Sequence, residues 1–206
     1  MRRTLNKIEQ LYSKNLEEYG MNPKAVGWNT EEGQVLRFEK LNKVIADVDK
    51  NLSFNDYGCG YGSHLSYLVN SGIKVSCYNG YDLSSEMIEN AKFIQNRHNI
   101  KLKLQVLDKI NTFADYTFVS GTFNVKFDIS DEAWNKFIQE KLKEISNYSN
   151  IGFAFNLLTS DVDWKEDHLY YADPLFWFDF CRNNISKKVT LLHDYPLWEW
   201  TICVTK

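Results

Sequence analysis

Residues 54–62 read Phe-Asn-Asp-Tyr-Gly-Cys-Gly-Tyr-Gly. The apolar residues Leu52 and Phe54 lead into an acid, Asp56, and then into glycines at alternate positions, Gly58, Gly60 and Gly62. Leu65, Leu68 and Val69 follow on one helical face, so the segment reads as strand, glycine turn and helix. Glycines let a backbone turn tightly and come close to a ligand, and a helix N-terminus offers unpaired N–H groups and the positive end of a dipole. A dinucleotide-binding fingerprint sets its third glycine five positions after the first, and Ser63 occupies that position here.

The flanks extend a strand–helix alternation. Residues 1–50 read as two helical pieces split by Gly20-Met21-Asn22-Pro23, the second with Val35, Phe38, Leu41, Val44 and Ile45 at helical spacing. After the first strand, at 52–57, and a helix over 62–70, Ile73–Tyr78 reads as a short strand that ends in Gly80-Tyr81-Asp82. Ser84 or Ser85 caps the next helix, whose inner face is Met87, Ile88, Ala91 and Ile94. Leu102–Leu107 and Tyr116–Ser120 are further strands, and Ser130 starts a helix with Trp134, Phe137, Ile138, Leu142 and Ile145 on one face. The apolar run Ile151–Leu158 suits a strand buried on both faces. A polar and aromatic loop spans 159–172, Asp173-Pro174 opens a short helix, and Val189–His193 and Trp198–Thr205 form two strands with no helix between them. The expected fold is α/β: a mostly parallel seven-stranded sheet flanked by helices, ending in an antiparallel β-hairpin.

Bulk properties narrow the function classes. The 206 residues suffice for one sizeable core, so one domain over 1–206 is expected, with a helical segment over 1–50 and the α/β core over 51–206. Acidic and basic residues are mixed along the chain and sum to −3, with no basic arm of the kind nucleic acid requires. Cys59, Cys77, Cys181 and Cys203 form no CxxC pair, so free thiols are expected. Met-Arg-Arg is followed by a polar stretch rather than an apolar signal core, and no run approaches a membrane span. A cytoplasmic protein, with neither nucleic acid nor membrane as partner, is the expectation.

An acid two residues before the first glycine, followed by alternate glycines, resembles the cofactor loop of class I S-adenosylmethionine (SAM)-dependent methyltransferases. The resemblance covers residues 54–123, with DYGCGYG as the glycine loop and GYDLSSEMIENAK as the ribose segment. It implies SAM as cofactor, S-adenosylhomocysteine (SAH) as product and a small-molecule acceptor. Asp56, Gly58, Cys59 and Gly60 are then expected at the cofactor's amino-acid part, and Asp82, 20 residues beyond Gly62, on the ribose hydroxyls. Leu83 and Met87 would flank ribose and adenine, Asp108 would lie near the adenine amino group, and Ser120 would face the methyl donor. The family often has glycine before that last acid; here it is Leu107.

Segment 26–38 is expected over the site, and the likeness to small methyltransferases that use such a segment as a lid implies that 1–50 is an N-terminal helical lid. Trp28 would cover the cofactor and Arg37 would pair with its carboxylate through a bidentate fork; a packing tryptophan and a surface arginine fit the same pattern. The strand-four slot reads Ser120-Gly121-Thr122-Phe123, which is not the D/N-P-P-Y/F motif of amino-group methyltransferases. Asp173-Pro174-Leu175-Phe176 is similar to that motif but follows strand five, where a helix cap with proline at its first position accounts for it. Metal-assisted methylation needs clustered acids or amides after strands four and five; Ser120 and Asn156 do not provide them, so no metal is expected. His168, in the loop after strand five, is the candidate general base, whereas His64 reads as packing or solvent-facing. The C-terminal portion, with FAFNLLTSDVD, LYYADPLFWF and HDYPLWEWTICV, is similar to small bacterial methyltransferases found beside surface-polysaccharide genes. That likeness implies O-methylation of a sugar- or phosphate-containing metabolite. A SAM-fold protein without catalysis and a nicotinamide-dependent oxidoreductase are the rival classes.

Overall fold

The computed structural model describes residues 1–98 and 100–206. Two N-terminal helices, α1 (Arg2–Tyr19) and α2 (Glu31–Leu41), are separated by a 3₁₀ turn over Pro23–Val26 and followed by another over Asn42–Val44. There follow β1 (Leu52–Tyr57), α3 (Ser63–Asn70), β2 (Val75–Asp82), α4 (Ser85–His98), β3 (Lys101–Val106) and β4 (Ala114–Val119). The rest comprises α5 (Asp131–Tyr148), β5 (Ser149–Thr159), β6 (Tyr171–Ala172), α6 (Pro174–Asn184), β7 (Lys188–Leu192) and β8 (Glu199–Thr205).

The strands form one sheet in the order β3-β2-β1-β4-β5-β8-β7, with the two-residue β6 beside the end of β5. β1 to β5 are parallel, and β8 runs antiparallel to both β5 and β7. The expected parallel sheet and terminal hairpin are present, with β6 as an addition. β2 begins later and runs further than the sequence suggests: Asn79-Gly80-Tyr81-Asp82 stay in the strand because β1 and β3 pair with it on both sides, as far as Tyr81↔Tyr57 and Asp82↔Val106.

Both faces of the sheet are covered. Phe153, Phe155 and Leu157 alternate with Ala154 along β5, so the first three meet Trp134, Ile138, Leu142 and Ile145 of α5. Ala154 instead faces the second core, with Phe38, Leu41, Val44, Leu65 and Leu68. β8 follows the same alternation: Trp200, Ile202 and Val204 join the α5 side and Cys203 the α2 side. Glu199 and Thr201 share the parity of Cys203 and so belong to the α2 face. Val35, expected on the inner face of α2, is exposed. The side chain of Ile94 lies outside the described residues. Ser84 caps α4, its Oγ accepting from Met87 N–H at 3.1 Å, and Asp173 caps α6 through Leu175 N–H at 2.8 Å. All four cysteines are free thiols. No described helix is long and apolar enough to cross a membrane.

Candidate functional site

In the order β3-β2-β1-β4-β5 the chain leaves β1 in one direction to reach β2 and returns on its other side to build β4. Such a reversal opens a crevice at the carboxyl ends of the strands. A cavity lies there, bordered by Gly58 and Gly60 after β1, Asp82 at the end of β2, Asp108 after β3 and Ser120-Gly121 after β4. Leu83, Met87, Leu107 and Phe137 line an apolar part of it.

The glycine turn makes the cradle. Gly58 and Gly60 have φ of 80° and 53°, a region unfavourable for residues with a Cβ. A Cβ on Gly58 would run into the side chain of Thr122, and one on Gly60 would lie 3.1 Å from Val26 Cγ1. Asp82 ties the turn to β2: one carboxylate oxygen accepts from Gly60 N–H at 2.8 Å and the other from Ser84 N–H at 3.0 Å. Burial pushes the Asp82 carboxyl above its usual range, and these backbone donors act against that shift. A carboxylate positioned in this way and bordering the cavity suits ribose hydroxyls. The apolar part suits a purine, and Ser120 Oγ is buried without a hydrogen-bond partner at the β4 end. The residues present therefore fit SAM.

α1 roofs the cavity with Leu5, Ile8, Glu9 and Tyr12. It is tied to α4 where Ser13 Oγ meets Ser84 Oγ at 2.9 Å and donates to Glu86 at 3.0 Å. Burial, aided by Asp82, raises the Tyr12 hydroxyl to about 12, so it stays protonated. Sequence reasoning recognised the helix but did not place these four residues at the site; their spacing along α1 was the available signal.

Of the residues named from sequence, Gly58, Gly60, Asp82, Leu83, Met87, Asp108 and Ser120 are brought to this one cavity. Asp56, Cys59, Trp28, Arg37 and His168 are outside its lining. Asp56 is buried beneath the turn, accepts from the Tyr78 hydroxyl through one oxygen and leaves the other unpartnered. Cys59 is buried against Gly80, its thiol pushed up by burial. Arg37 donates its Nε to Glu199 at 2.7 Å and stacks its guanidinium 3.6 Å from the Trp28 ring centre. Its Nε is thus engaged in a buried ion pair, and the side chain does not border the cavity where the fork to a cofactor carboxylate is expected. His168 is exposed in its loop, and its carbonyl accepts from Lys126 and Phe127 N–H.

His64, just after the glycine turn, is buried between Phe38 and Phe118, each ring centre 4.4 Å away, and its Nε2 meets Asn42 at 3.0 Å. Burial lowers it to about 3 and raises Asp56 to about 7. The two act oppositely on stability. As pH rises from about 4 to 7 the unfolded chain releases the Asp56 proton while the folded chain keeps it, so this group lowers stability across that window. For His64 the folded state resists protonation, so stability falls as pH drops from 6.5 towards 3. Asp56→Asn should therefore gain on the wild type between pH 4 and 7 by on the order of 4 kcal/mol, at about 1.4 kcal/mol per unit. Urea titrations across that range test this; a difference independent of pH would contradict it.

Three similarities stand beside this geometry. "Putative methyltransferase Rv1506c" of Mycobacterium tuberculosis is 43% identical over 165 residues, which is 79% of this chain and 98% of that protein. The magnesium protoporphyrin IX methyltransferase ChlM of Synechocystis PCC 6803, solved with SAH, superposes with a TM-score of 0.64 at 10% identity, over 98% of this chain and 99% of that one. The plantazolicin methyltransferase BpumL, also with SAH, gives 0.60 at 15% identity, over 100% and 98%. No protein-family model matches the chain.

Proposed function

The chain belongs to the class I SAM-dependent methyltransferases, and on that premise we propose that it methylates an oxygen of a sugar- or phosphate-containing small molecule. The observation that carries the methyl-transfer reading is the crevice at the β1/β4 reversal, where the cradle of Gly58 and Gly60 meets the carboxylate of Asp82. The likeness of the C-terminal portion to polysaccharide-associated methyltransferases supports the choice of acceptor.

Bound SAM supplies an activated methyl group. The chain's work is alignment and exclusion of water. Asp82 orients the ribose, Leu83, Met87 and Leu107 hold the adenine, and the open backbone of Gly58 and Gly60 passes the amino-acid part. Asp108 stands at the adenine end and Ser120-Gly121 at the methyl end. α1 closes the cavity from above as the lid, fastened through Ser13.

Transfer of radiolabel from SAM to separate pools of phosphorylated sugars, neutral sugars and amines tests the proposal. Label on a phosphorylated sugar, as an O-methyl group, is expected; label on nitrogen would contradict it. SAH binding without turnover in any pool would instead favour a binding protein. His168→Ala should keep wild-type turnover, because that side chain is exposed and away from the cavity. A tenfold or larger loss with SAH affinity intact would assign the base to that loop.

A further inference from the structure

Seven buried side-chain polar atoms among the described residues lack a hydrogen-bond partner, and Ser120 Oγ, Asn124 Nδ2, Asn156 Nδ2 and Glu199 Oε1 are four of them. These four gather at the ends of β4, β5 and β8. Asn156 Oδ1 accepts from Gly121 N–H at 2.7 Å, and Asn124 Nδ2 would be 3.4 Å from a Cβ on Gly121. Glu199 pairs with Leu158 across the sheet and shares its face with Asn156. The Asn156 amide lies close enough to the Glu199 carboxyl to act against the rise that burial imposes on it, so these two partly satisfy one another, whereas Ser120 Oγ and Asn124 Nδ2 stay unpartnered at a cost in stability.

Around them the contacts close into a ring. The Trp28 ring rests directly on Gly121, where a Cβ would collide with it. Arg37 stacks on Trp28 and bonds Glu199, and Glu199 neighbours Asn156. Gly121 also borders the cofactor cavity, so the ring stands at the methyl end. Arg37 makes its one hydrogen bond among the described residues through Nε. Its two terminal nitrogens make no hydrogen bond among the described residues, in a side chain that keeps only a tenth of its surface exposed. A guanidinium held by its Nε and stacked on an indole leaves the fork that recognises a carboxylate or phosphate.

We infer that this ring is the acceptor's binding site, and that it takes a polyhydroxylated acceptor bearing an anionic group. The anion engages the terminal nitrogens of Arg37. As the acceptor enters, the Trp28 ring leaves Gly121, Asn124 and Asn156 donate to acceptor oxygens, and Glu199 Oε1 accepts from a hydroxyl. The assignment rests on the methyl-transfer reading above and narrows its substrate.

Calorimetry on the SAH-saturated protein tests it, with glucose 1-phosphate, glucuronate, glucose and inorganic phosphate as separate titrants. At least one of the two anionic sugars should bind about tenfold or more tightly than glucose or phosphate alone; the tighter one identifies the anion as phosphate or carboxylate. Arg37→Lys keeps a cation beside Glu199 but loses the fork, and should weaken that binding about tenfold. Arg37→Gln should weaken it further, with SAH affinity reporting that the variant is folded. Equal binding of glucose and the anionic sugars, wild-type affinity in Arg37→Lys, or no binding in any arm while SAH binds would each overturn the inference. Failure of SAH itself to bind would overturn the methyl-transfer reading and this site with it.

Discussion

Replacing Gly60 with valine should abolish SAH binding, with affinity falling by at least about a hundredfold. Two effects act together. The residue holds a φ of 53°, where a β-branched side chain is strained. Its Cβ would press on Val26, which also lines the cavity, and the branches would enter ligand space. The Gly60 N–H that anchors the turn to Asp82 would shift with it. Circular dichroism and calorimetry on the same sample separate loss of binding from loss of fold. Gly60→Ala, which adds the Cβ without branches, should show an intermediate loss. Wild-type affinity in both variants would contradict the placement of the cofactor.

Asp82→Ala should weaken SAH binding by about ten- to a hundredfold, the scale of one to a few kcal/mol for a charged hydrogen-bond partner. The carboxylate has two tasks here: it presents oxygens to the cavity, and it holds Gly60 and Ser84 in place through their N–H groups. Asp82→Asn separates them. An amide still offers one carbonyl oxygen but turns an NH₂ towards a backbone donor, so most of the loss should remain. Full affinity in the asparagine variant would mean that the charge contributes nothing to cofactor binding.

The cofactor half of the site was legible in the sequence for a geometric reason. In a parallel sheet every strand delivers its carboxyl end to the same edge, so residues just after β1, β2, β3 and β4 meet without any knowledge of packing. That Gly58, Asp82, Asp108 and Ser120 share one edge follows from that rule, while the parts expected of Asp108 and Ser120 came from the resemblance to class I methyltransferases. The remainder depends on contacts that no local pattern encodes. Arg37 finds Glu199 162 positions away in sequence, because α2 packs on the face of β8 to which Glu199 belongs; from sequence, an arginine in a segment expected over the site suits a cofactor carboxylate and a surface position equally. Asp56 alternates with Tyr57 along β1 and so turns away from the cavity towards Tyr78. The amphipathic stripe of α1 announces a helix but not the cavity it covers. Val35 matched the helical period of α2 yet falls at the margin of its buried face.

The most direct test of the cofactor assignment is the thermal stability of the wild-type protein with SAH, compared with NADH and with no ligand. At 100 times its dissociation constant SAH should add about 2.7 kcal/mol of stability, a readily measured rise in Tm. A rise with SAH and none with NADH is the predicted result. Stabilisation by NADH in its place, or by neither compound, would contradict the assignment of the crevice at the β1/β4 reversal to SAM.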